Sequence, residues 1–163
     1  KWVYHNIHRY NGDKFKIHLS GHSAGAHQAV MLAMTDWKLL TLPEKVIKSC
    51  TAISGIYDLS PLIHSWLQAD LQLNDEMICQ QSPLLILDNI KKTLPPLLII
   101  VGELESSEFQ RQSKELQPNW IQYSNKSRIL IINEKNHFNV IHSLAEPCSY
   151  LLKQIKNFIV ENV

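Results

Sequence analysis

Gly21-His22-Ser23-Ala24-Gly25 fits the pattern G-x-S-x-G, and it falls between a segment that reads as a strand and one that reads as a helix. That placement is what a nucleophilic serine needs. A sharp strand-to-helix turn lifts the Ser23 hydroxyl above a sheet, beside the positive end of the following helix. Gly21 and Gly25 are the small flanking residues that let strand and helix cross closely. The backbone N–H of Ala24 is expected to face the oxyanion that develops when a carbonyl is attacked. The chemistry implied is acyl transfer through a covalent serine intermediate. The plainer alternative is a serine that only ends a strand.

Such a serine needs an acid and then a histidine later in the chain, each on a loop after a later strand. After the apolar run Leu97–Val101 comes Gly102-Glu103-Leu104-Glu105, and after Ile129–Ile132 comes Asn133-Glu134-Lys135-Asn136-His137-Phe138. His137 is expected to take the Ser23 proton, and Glu105 to fix its tautomer and stabilise the imidazolium. Glu103 and Glu108 remain open as the acid, and His142 is the other histidine beyond the last predicted strand. The bland readings are a solvated loop carboxylate and a surface histidine. His5, His8, His18, His22, His27 and His64, with His142, have no CxxC pattern beside them to complete a zinc site. They read as surface, core or supporting groups, and no metal or organic cofactor is expected.

These side chains require an α/β scaffold. Lys14–Leu19, Thr51–Ser54, Leu97–Val101 and Ile129–Ile132 read as strands. Ala24–Trp37, residues 107–117 (stopped by Pro118) and Ser149–Val160 read as helices, with helical pieces between Ser60 and Asn89. A continuous apolar run such as Leu97–Val101 belongs to a parallel sheet covered on both faces, so a mostly parallel sheet flanked by helices is predicted. At 163 residues, 45% of them hydrophobic and 19% charged, the chain is expected to be one domain and not a disordered one. A formal net charge of +1 with both signs evenly spread argues against a nucleic-acid partner. The apolar runs are too short to span a bilayer, and the start lacks a signal-peptide stretch. Cys50, Cys79 and Cys148 match no metal or disulfide framework and read as reduced thiols of a cytoplasmic protein.

Ser20-Gly21-His22-Ser23-Ala24-Gly25-Ala26-His27 resembles the elbow of the kynurenine formamidase (arylformamidase) family, in the hormone-sensitive-lipase-like branch of the α/β-hydrolases. Trp2-Val3 with Asn6-Ile7, Ser54-Gly55-Ile56-Tyr57-Asp58-Leu59, Ser82-Pro83, Val101–Phe109 with Arg111-Gln112-Ser113, and Asn136-His137-Phe138 extend the resemblance across most of the chain. It implies hydrolysis of N-formyl-L-kynurenine to L-kynurenine and formate in tryptophan catabolism, without a cofactor. It also implies a cytoplasmic location, extending to the nucleus, and a homodimer as the full-length assembly. Two departures stand out. Glu105 occupies the place where the family usually carries aspartate, and no Gly-Gly occurs to supply the upstream oxyanion loop. Residues 1–163 therefore read as the C-terminal part of a single α/β-hydrolase domain, with its N-terminal strands missing and residues 15–19 at an open sheet edge. A carboxylesterase acting on small acyl esters and a catalytically inactive fragment are the competing readings.

Overall fold

Four strands, β1 (Ile17–His22), β2 (Ile47–Ile53), β3 (Leu97–Gly102) and β4 (Ser127–Ile132), lie side by side in that order, and every neighbouring pair is parallel. The structure is a computed structural model describing residues 1–124 and 126–163. Burial explains the order. β3 is buried at all six positions and β2 at six of seven, as inner strands must be, whereas β1 and β4 are mostly half-buried edges.

Helices α1 (Trp2–Asn6), α2 (Ala24–Met34), α3 (Gln68–Leu71), α4 (Asp75–Gln81), α5 (Pro83–Ile86), α6 (Ser107–Ile121) and α7 (Tyr150–Val160) link and cover the strands. On one sheet face Cys50, Ala52, Leu97 and Ile99 pack against Ala26, Ala29, Val30 and Ala33 of α2 and Leu116 and Trp120 of α6. On the other, Ile53, Leu98 and Ile100 pack against Leu151, Ile155 and Phe158 of α7. Alternate residues of β2 and β3 therefore serve two cores, the three-layer α/β arrangement that the apolar runs predicted.

Several element boundaries differ from those read in the sequence. β1 begins at Ile17, because Lys14–Lys16 are taken up by a turn in which Asp13 accepts from the N–H groups of Phe15 and Lys16. β2 begins four residues before Thr51, and β4 begins at Ser127. α2 stops at Met34, where Thr35 turns extended, and Trp37 belongs to a separate 3-10 turn capped by the Asp36 carboxylate. α6 runs through Pro118 to Ile121. The proline lies on the solvent side of the helix, where the Lys114 carbonyl it leaves unpaired can be hydrated. Trp120 holds the final turn in place: it is fully buried and donates its indole N–H to the Pro95 carbonyl at 2.9 Å. Pro61 and Pro83 start short helical turns, where a missing N–H costs nothing.

Cys50, Cys79 and Cys148 are free thiols, and burial pushes the Cys50 thiol up to about 12. Among the described residues, no helix is long and apolar enough to cross a membrane.

Candidate active site

All four strands end at the same edge of the sheet, and each delivers one polar group there: Ser23 after β1, Ser54 after β2, Glu105 after β3 and His137 after β4. Ser23 holds φ 56° and ψ −122°, a strained backbone for a residue with a side chain. Its N–H donates to the Ile53 carbonyl at 2.9 Å, tying the turn to β2. A Cβ on Gly21 would lie 2.0 Å from the Gly25 carbonyl oxygen, so strand and helix cross there at backbone contact. Gly25 differs from the sequence expectation: among the described residues, a Cβ on it would meet nothing within 4 Å. Of the two elbow glycines, Gly21 is the one that packing demands. Ala24 opens α2, so its exposed N–H is one of the first-turn donors that no intrahelical carbonyl can reach.

The acid and histidine loops are laced together. Glu103 N–H donates to the Ile132 carbonyl at 3.0 Å and Leu104 N–H to the Lys135 carbonyl at 2.9 Å. In return, Glu134 N–H donates to the Glu103 carboxylate at 3.0 Å. Of the three carboxylates left open by sequence, Glu103 is thus engaged with Glu134, Glu108 with Arg111 and Gln112, and Glu105 with His137. Asn136 shapes the histidine loop, accepting from the N–H groups of Phe138 and Asn139 at 3.0 Å each.

The His137 ring stands between Glu105 Oε2, 2.9 Å from Nδ1, and Ser23 Oγ, 3.0 Å from Nε2. With Nδ1 protonated toward the carboxylate, Nε2 accepts from the serine hydroxyl. That is the tautomer in which the imidazole can remove the serine proton. The Glu105 side chain is 1% exposed and that of His137 21%, so the acid is sealed and the base reachable. Phe109, His22 and Phe138 ring the imidazole at centroid distances of 4.6, 4.8 and 5.4 Å. His142 lies on the following 3-10 turn, exposed.

Two supporting contacts were not assigned by the sequence. Ser54 donates its hydroxyl to Glu105 Oε1 at 2.5 Å, where the Gly102 N–H also donates at 2.7 Å. His22 donates from Nε2 to the His137 carbonyl at 2.8 Å, bracing the loop from the elbow itself. The signal available for Ser54 was positional, a polar residue immediately after a buried strand.

Gln112, buried in α6, clamps the loop after β2: it accepts from the Tyr57 and Asp58 N–H groups at 2.6 and 2.8 Å and donates to the Asp58 carbonyl at 3.0 Å. Gln112 also donates to Glu108. The Arg111 guanidinium, and then that amide, hold the Glu108 carboxyl down at about 2, against an ordinary 4.5. A depressed folded-state value contributes stability that is present above the ordinary value and lost as pH falls through about 2. The group is largely solvated, so screening keeps the effect small. Glu108→Gln is therefore expected to flatten the fall of the denaturant midpoint between pH 4.5 and 2. An identical slope in variant and wild type would refute the assignment.

A hollow of about 370 Å³ opens beside His137, lined by Leu104, Phe109 and Phe138 with the polar edges of Glu105, Ser106 and Asn136. A neighbouring one of about 180 Å³ lies between Phe109 and the loop after β2. A larger cavity of about 560 Å³ sits at the opposite end of the strands among Lys45, Lys48, Lys92 and Lys126, remote from Ser23. The 370 Å³ hollow is the one lined by the imidazole that faces the Ser23 hydroxyl.

Comparison with known proteins agrees with this architecture. The BD-FAE family model matches residues 1–120. A kynurenine formamidase of Danio rerio is 32% identical over 141 residues, covering 85% of this chain and 47% of that protein. The chain spans about half the length of the curated relatives it matches. Among solved structures, a candidate thioesterase from Silicibacter sp. superimposes with a TM-score of 0.63 at 29% identity, over 84% of this chain and 49% of that one. An acylaminoacyl peptidase from Pyrococcus horikoshii gives a TM-score of 0.74 at 18% identity, over 97% of this chain and 26% of that one, a likeness of fold alone.

Proposed function

The chain belongs to the BD-FAE family, and on that premise we propose that it carries the Ser23–His137–Glu105 triad of a serine acyl hydrolase related to kynurenine formamidase. In this reading residues 1–163 are the C-terminal part of one α/β-hydrolase domain, and the substrate is N-formyl-L-kynurenine. The observation that carries it is the unbroken row from Glu105 Oε2 through the imidazole to Ser23 Oγ.

Ser23 Oγ attacks the formyl carbonyl while His137 Nε2 takes its proton, and the Ala24 N–H stabilises the oxyanion. Collapse of the tetrahedral intermediate breaks the C–N bond. The imidazolium gives its proton to the departing aryl amine, leaving a formyl ester on Ser23. Water, deprotonated by the same imidazole, attacks that ester. The serine leaves with the proton and formate is released. Glu105 accepts from Nδ1 and holds the imidazole in register.

A second reading, a carboxylesterase for small acyl esters, is favoured by the lining of the two hollows near His137. They present Leu104, Phe109 and Phe138, and among the described residues no lysine or arginine lines them to meet the amino-acid carboxylate of kynurenine. The two are separated by kcat/KM for N-formyl-L-kynurenine and for p-nitrophenyl acetate in the full-length protein, alongside fluorophosphonate labelling of Ser23. The first reading expects the formamide to be the better substrate. Formamide turnover at background with rapid ester turnover would select the second, and an unlabelled Ser23 would sink both.

A further inference from the structure

Glu105 is a buried carboxylate with three donors around it, and two of the three belong neither to the nucleophile nor to the base. The Ser54 hydroxyl, 2.5 Å away, and the Gly102 N–H, 2.7 Å away, both donate to Oε1, leaving Oε2 to His137. The donors come from two different strands: Ser54 follows β2 directly and Gly102 is the last residue of β3. The carboxylate is therefore suspended over the gap between the two inner strands.

Ser54 itself is held in a way that calls for a reason. It is fully buried and its φ is 52°, in the left-handed region that glycine occupies without strain and other residues rarely do. Its N–H donates to the Ile100 carbonyl at 2.7 Å, which fixes the backbone in place. A glycine would relieve the strain but would have no hydroxyl to give to Glu105. Strain of this kind persists where surrounding structure imposes it, and it clusters at functional sites.

We propose that Ser54 is the positioning residue of the triad acid: with the Gly102 N–H it clamps Oε1 and aims Oε2 at His137. The inference rests on the triad reading above and deepens it. With this backbone, aspartate at 105 is one methylene shorter and reaches the clamp and the imidazole together only if the loop shifts. Without the clamp the longer glutamate is free to swing, and the imidazole loses its fixed orientation while the substrate hollow is untouched.

The test is a double-mutant cycle of Ser54→Ala and Glu105→Asp in the full-length protein, with Ser54→Gly as a second deletion of the hydroxyl whose backbone favours the observed φ. Each single variant is expected to lower kcat by about 10- to 100-fold, the range seen when outer partners that orient active-site ligands are removed, with KM within about twofold. The double variant is expected to lose little more than either single one, since both break one unit. The low-field proton resonance of the His137 Nδ1–H bond should shift or broaden in Ser54→Ala and Ser54→Gly. That readout does not depend on turnover, so it decides the role of Ser54 even where the hydrolase reading fails for want of Ser23-dependent activity. Wild-type kcat in a folded Ser54→Gly variant, fully additive losses, or an unmoved His137 resonance each overturn the proposal.

Discussion

Ser23→Ala is expected to lower kcat by about 10⁴- to 10⁶-fold and to abolish fluorophosphonate labelling, while leaving the denaturant midpoint close to that of the wild type. The size of the loss follows from the geometry. Ser23 Oγ is the group that His137 Nε2 faces, at 3.0 Å, and its backbone is already bent into the attacking position. Losing the hydroxyl removes the covalent route entirely, so removing His137 in addition should cost almost nothing more. A near-additive loss in the Ser23→Ala, His137→Ala double variant would mean that the two act separately, and the triad assignment would fall. Thermodynamically the change is mild: a strained serine becomes an equally strained alanine. Residual turnover of either variant should resemble what backbone donors and binding alone provide.

Gly21→Ala is expected to have the opposite profile, a large loss of stability with activity falling because the fold does. Its Cβ would lie 2.0 Å from the Gly25 carbonyl oxygen and 2.7 Å from the Ala26 nitrogen, and both are backbone atoms that cannot rotate aside. Overpacking against side chains costs ~1–3 kcal/mol, and this collision should reach or exceed the upper end of that range. β1 and α2 would have to separate, and with them the Ala26, Ala29 and Val30 face that covers Cys50 and Ala52. Urea titration gives the check. Gly25→Ala is the matched control, since nothing lies within 4 Å of its added methyl among the described residues. Equal midpoints for the two variants would show that the crossing is not the source of the constraint.

Much of the candidate site's placement was legible because it depends on order along the chain. A glycine-flanked serine between a strand and a helix, then acidic and histidine loops after later strands, required only local patterns and their succession. The unbroken apolar run of β3 likewise announced an inner parallel strand. What escaped depends on contacts between distant segments. Ser54 meets Glu105 across 51 positions and His22 meets the His137 carbonyl across 115, and no local pattern encodes either pairing. Pro118 was misread for a related reason. Its cost depends on which side of the helix it occupies, and that is set by Trp120, about half a turn on, being drawn into the core. Lys14–Lys16 alternate as a strand does, yet Asp13 captures the backbone first.

That each strand contributes one group to the site has a kinetic side. Ser23 and His137 are separated by 114 positions, Glu105 and His137 by 32, and every strand pairing is a parallel crossover. Contacts this remote form late, because the chain between them must first be ordered. No subset of the sheet can assemble the row from Glu105 to Ser23, so a partly folded chain has no means of acylating itself. In the proposed hydrolase, recovered turnover during refolding would then report completion of the slowest phase, because Ser23 has no imidazole beside it until β4 is in place.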